Sequence, residues 1–179
     1  MRNDITTLQP VLQRALNLLA TASSWQRGAA KRAHIVGLQG EKRRLRYLYR
    51  EASYITDWLE HKIYDVFELD LIAQQGTADT SVMQCVKSSM DTIIKKLWTI
   101  YEASHQVANE LVNLKYRNLA QPIYTYAGRL FDIIAELQRA VKEYERAEFE
   151  YHHISRYQVG YYNIHDEYED KEEAQGFEL

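Results

Sequence analysis

The sequence predicts an all-α protein: an antiparallel up-down-up-down four-helix bundle of long helices, followed by an acidic C-terminal tail. Three observations carry this. Apolar residues recur at three- and four-residue steps in four stretches of nearly equal length. Only 7 Gly and 2 Pro punctuate 179 residues, too few for a turn-rich β fold. The chain is 46% hydrophobic and 26% charged, a globular composition with enough length for one core.

The first stretch, 3–38, carries the stripe Leu8, Leu12, Ala15, Leu19, Ala22 and Trp25. Pro10 is tolerable if the helix begins near Thr7 or Leu8, and Gly28 is a point where it could stop. The second, 41–75, carries Leu45, Leu48, Ala52, Ile55, Leu59, Ile63 and Val66. Gly37 and Gly40 break the chain before it and Gly76 stops it. The third, 80–117, has Asp79 or Thr80 as its N-cap. Its stripe is Val82, Val86, Met90, Ile93, Leu97, Ile100, Ser104, Val107, Leu111 and Leu114. The fourth opens at Pro122 and closes at Gly160. It carries Ile123, Leu130, Ile134, Leu137, Val141, Tyr144, Tyr151 and Ile154. Each helix would be about 50 Å long, and short connections would make sequential neighbours antiparallel. The expected organisation is a bundle over 1–160 and a tail over 161–179.

Charge is divided into two opposite blocks. Between Arg27 and Arg50 stand eight Lys/Arg and one acid; between Tyr161 and Leu179 stand seven Asp/Glu and one Lys. Lys31, Arg32, Lys42, Arg43, Arg44, Arg46 and Arg50 form the basic block, with Tyr47 and Tyr49 interleaved. In an up-down-up-down order, the turn between the third and fourth helices lies at the same end. It would add Lys115, Arg117 and Arg129 to one cationic pole. Arginine suits bidentate contact with carboxylate or phosphate. Cations at the start of the second helix oppose its dipole, a mild penalty that favours a partner over simple helix optimisation. The acidic block, Asp166, Glu167, Tyr168, Glu169, Asp170, Glu172, Glu173 and Phe177, suits docking on such a pole. Its composition also fits a solubilising tail.

Catalytic patterns are weak. Glu102/His105 and Glu150/His153 have the Glu-x-x-His spacing of dimetal bundles. A turn near Leu119 and Ala120 would set Glu102 beside Gln138, about 20 Å from Glu150 by helical rise. Arg146 and His152 have an Arg-x5-His spacing found in helical ribonuclease domains, but Ala147 stands where a polar residue is usual. No phosphate loop, zinc-spaced set or nucleophile elbow occurs. Cys85, the one cysteine, reads as an inert core thiol.

The sequence therefore predicts a non-enzymatic structural or interaction protein, without metal or cofactor. It would assemble with copies of itself or within a larger or viral assembly, its basic pole receiving an acidic tail. A nucleic-acid or polyphosphate partner at the same arginines is the second reading, and a ribonuclease or metal-dependent enzyme the third. The N-terminus lacks a signal-peptide core, and no run has the roughly 18 apolar residues of a membrane span. The expected setting is cytoplasm, virion or assembly, and the chain is expected to be soluble.

Overall fold

The computed structural model describes residues 2–35, 37–76 and 86–169, with side chains described for 5–35, 37–76 and 89–153. The helices are α1 (Arg2–Ile35), α2 (Gln39–Phe67), α3 (Val86–Asn113) and α4 (Arg117–Glu169). The chain divides into two compact units, Met1–Gln138 and Arg139–Leu179.

The first unit is an all-α four-helix bundle. The expected stripes of α1 and α2 are buried from Leu8 to Trp25 and from Leu45 to Ile63. So are Met90 to Leu111 on α3 and Ile123, Leu130, Ile134 and Leu137 on α4. Val66 is exposed because α2 ends one residue later. Across the centre, Gln26 Nε2 of α1 donates to the Tyr126 hydroxyl of α4 at 2.6 Å. Both side chains are fully buried. Burial pushes the Tyr126 pKa well above its ordinary value; the hydrogen bond from Gln26 opposes this in part.

Direction follows from named contacts. Ser23 meets Ser53 at 2.7 Å, so α2 runs antiparallel to α1. Arg14 pairs with Glu110, and this hydrogen bond raises the guanidinium pKa. Leu18 shares a cleft with Ala103, while Thr7 shares one with Asn113 and Leu114. Helix α3 is therefore also antiparallel to α1. Trp98 packs on Phe131 and His105 on Tyr124, setting α4 antiparallel to α3. Arg44 Nε reaches Glu136 at 2.6 Å and Arg129 pairs with Tyr47, setting α4 antiparallel to α2. Directions thus alternate around the bundle in the order α1, α2, α4, α3. Along the chain they run up, down, down, up, which corrects the expected chain order.

The cause is the α2–α3 connection. Helix α2 stops at Phe67, well before Gly76, with Glu68 left-handed at φ 55° and its N–H on the Tyr64 carbonyl. The chain then runs extended along α1. Gln13 donates to the Ile72 carbonyl, Gln74 N–H to Asn17 Oδ1, and Gly76 N–H to Thr21 Oγ1. Four helical residues rise about 6.0 Å and two extended residues about 6.6 Å, so the two spacings match. This strap carries the chain back along α1 towards the end where α2 began. The expected cap at Asp79 or Thr80, Val82 and Cys85 lie outside the described residues.

Other boundaries also shift. Gly28 and Pro10 both lie inside α1; Pro10 forfeits one backbone bond without ending the helix. The turn after α1 places Gly37 at φ 85°, with Leu38 N–H on the Ala33 carbonyl at 2.8 Å. Lys115 does the same after α3 at φ 74°, with Tyr116 N–H on Leu111 and Lys115 N–H on Val112. Helix α4 therefore starts at Arg117, five residues before Pro122, and Glu102 is level with Ala127 rather than Gln138.

The second unit is described by itself. Its helical backbone continues through Gly160 to Glu169. From Lys142 to His153 every side chain is exposed, including Tyr144, Phe149 and Tyr151. Among the described side chains the expected core stripe of the fourth helix therefore ends at Leu137; Ile154 lies outside them. Arg146 pairs with Glu150 at 3.0 Å, and Phe149 stacks on His153.

Candidate functional site

The last turns of α1 and the first turns of α2 enclose a groove of about 560 Å³. Its lining is Arg27, Ala30, Lys31, His34 and Ile35 from α1 and Lys42, Arg46 and Tyr49 from α2. Helical spacing explains the set. On α1, residues 27, 30, 31, 34 and 35 repeat at three and four, as do 42, 46 and 49 on α2. The Gly37 turn holds the two rows face to face.

Four cations line this groove and none of the lining residues is acidic. His34 Nδ1 lies 3.3 Å from Lys42 Nζ and 3.2 Å from Gln39 Nε2. The Arg27 guanidinium sits 5.9 Å from the centre of the Tyr49 ring. Lys31 and Arg32 lie near the C-terminus of α1, where cations complement the dipole. That end adjoins the start of α2 in the antiparallel hairpin. The unfavourable field on Lys42 and Arg46 is thereby offset, a point the isolated helix did not reveal.

The structure divides the sequence-predicted site. Lys31, Lys42 and Arg46 are brought together in the groove, and Arg43 and Arg50 are exposed on α2. Arg32 is only partly exposed. Arg44 is used inside the bundle, reaching Glu136 and lying 3.4 Å from Glu41. Arg129 joins Tyr47 and lies 3.3 Å from Glu51. Lys115 and Arg117 lie at the opposite end, beside Tyr116, whose ring packs on Phe67 at the end of α2. They leave the expected pole because the strap makes α3 parallel to α2. Asp170, Glu172, Glu173 and Phe177 lie outside the described residues. Asp166, Glu167, Tyr168 and Glu169 belong to α4 by backbone, with side chains outside the described set.

Sequence reasoning misses Arg27, His34 and Ile35 as groove residues. The signal was their three- and four-residue spacing with Lys31, which required α1 to pass Gly28 unbroken.

Glu102 and His105 lie in the first unit and Glu150 and His153 in the second. The His105 ring packs between Tyr101 and Tyr124. Among the described residues, no group of three or more His, Cys, Asp or Glu side chains could hold a metal ion. Nor is any helix there long and apolar enough to cross a membrane. No protein-family model, curated protein or solved structure matches this chain.

Proposed function

We propose that this chain is a non-enzymatic structural or interaction protein whose working surface is the α1–α2 groove. Copies assemble when the acidic C-terminal segment of one enters the groove of the next. A contact of this heterologous kind builds rings or filaments. The observation that carries the reading is the lining itself: four cations from two helices, with no acidic lining residue to neutralise them. The seven acids between Tyr161 and Leu179 supply the complementary charge.

The test is light scattering on a sizing column, at low and high salt, for the full chain and for the Lys42→Glu/Arg46→Glu variant. The wild type should be an oligomer that dissociates with salt, and the variant a monomer. Monomers at every salt for both proteins would sink the assembly reading. Exposed Arg43 and Arg50 beside the groove support a second reading, a nucleic-acid partner. That reading requires binding to labelled nucleic acid at low salt, with affinity falling steeply as salt rises.

A further inference from the structure

The groove has two chemically distinct parts. Its rim is Arg27 and Lys31 from α1 and Lys42 and Arg46 from α2. Its wall is Ala30, Ile35 and Tyr49. Ile35 is 69% exposed. An occupant bearing only carboxylates would leave this apolar wall wet. A purely apolar occupant would take water from four cations and return nothing. The complementary occupant is a ring or apolar side chain flanked closely by acids. A volume of about 560 Å³ is within the range of sites that seat such a group.

Three places in this chain set an aromatic residue between acids. Tyr144 and Phe149 are two of them, but Lys142 and Arg146 stand among their glutamates, and Arg146 already pairs with Glu150. These segments would bring like charge to the rim. The third is Asp166-Glu167-Tyr168-Glu169-Asp170, one ring with two acids on each side and no cation inside the run.

We infer that the groove reads residues 166–170 of a second copy, with Tyr168 as anchor. The Tyr168 ring seats against Ala30, Ile35 and Tyr49, and Glu167 and Glu169, its immediate neighbours on the helix, pair with cations of the rim. This rests on the reading that the groove receives the acidic segment, and adds that it recognises the ring as well as the charge. Charge alone would accept any acidic surface; the ring makes the contact selective.

The experiment measures self-association of the full chain by sedimentation over a salt series. Tyr168→Ser keeps every charge, and Ile35→Ser changes an exposed wall residue. Each should weaken association about tenfold, the loss expected for a truncated aromatic or apolar anchor. The salt dependence should stay as in the wild type. Tyr168→Phe should associate within about twofold of wild type, since the ring is kept. Converting Asp166, Glu167, Glu169 and Asp170 together to amides should remove both association and its salt dependence. If Tyr168→Ser associates like the wild type while the amide variant does not, ring recognition is wrong and the charge-based reading stands. If neither variant changes association, or the wild type is monomeric throughout, both fall.

Discussion

Two connections in this chain do the same job by different physics. Between α1 and α2 the chain reverses at once. Gly37 takes the left-handed conformation at φ 85° and Leu38 N–H closes on the Ala33 carbonyl. Between α2 and α3 it travels 18 residues, from Glu68 to Cys85. Its described part is held by side chains of α1: Gln13, Asn17 and Thr21. The first connection is local and sets one helix beside the next. The second is tertiary and decides which end of the bundle each later residue occupies. It places Lys115 and Arg117 away from the groove and leaves Arg27, Lys31, Lys42 and Arg46 as its cations. Buried stripes alone are satisfied by either chain order, because each helix buries the same face in both.

The largest expected effect is at the contact that both connections together create, Gln26 with Tyr126. Tyr126→Phe strands the buried Gln26 amide, whose Oε1 already has no hydrogen-bond partner. The loss should be about 1–3 kcal/mol by chemical denaturation. The same residue predicts alkaline sensitivity. The raised Tyr126 pKa means that the unfolded chain gives up this proton first, near pH 10. The stability it contributes is intact below about pH 10 and lost as pH rises through the higher folded value. Melting temperatures measured from pH 8 to pH 11 should therefore fall more steeply for wild type than for Tyr126→Phe.

Gly37→Ala probes the short connection. A Cβ there meets no atom within 4 Å, so the cost is backbone strain alone, about 1 kcal/mol. A stability equal to wild type would remove the left-handed turn from the account. Asn17→Ala probes the strap; it removes the acceptor of both Gln74 N–H and Gln13 Nε2 and should cost about 1–3 kcal/mol, the worth of two such hydrogen bonds. Amide exchange sharpens this case: Gln74 N–H should lose protection in Asn17→Ala while Leu38 N–H keeps its own. Equal protection at Gln74 would show that Asn17 does not hold the strap.

Much of the fold was legible because burial follows a period of 3.6. Leu12, Leu19, Leu48, Leu59, Ile93 and Leu130 are all found in the core that their spacing predicts. Glycine marked the boundary at Gly37, whereas Gly28 and Gly160 lie inside helices and α2 stops well before Gly76. Lys115 and Glu68 take left-handed conformations without being glycine, so the ends of α3 and α2 carried no sequence flag. The stretch after Glu68, Leu-Asp-Leu-Ile-Ala-Gln-Gln, has ordinary helix propensity and was expected to continue α2. Its capture by Gln13 and Asn17 overrides that preference. Those residues form a polar stripe with Thr21 at four-residue steps on α1, which pointed to a polar neighbour without saying which. On α4, Tyr144 and Tyr151 keep the apolar phase and yet are exposed, because periodicity marks a face but not whether anything covers it.

The sequence by itself determined the helical class, the buried stripes and the concentration of cations from Arg27 to Arg50, since spacing, punctuation and charge act over a few residues. Only the tertiary structure decided the order of the helices and hence which cations share a groove. That choice depends on hydrogen bonds between residues 55 to 59 positions apart, at Thr21 with Gly76, Asn17 with Gln74 and Gln13 with Ile72. No local pattern encodes a pairing at that separation. Charge along a chain becomes a surface only when the connections settle which helices are neighbours.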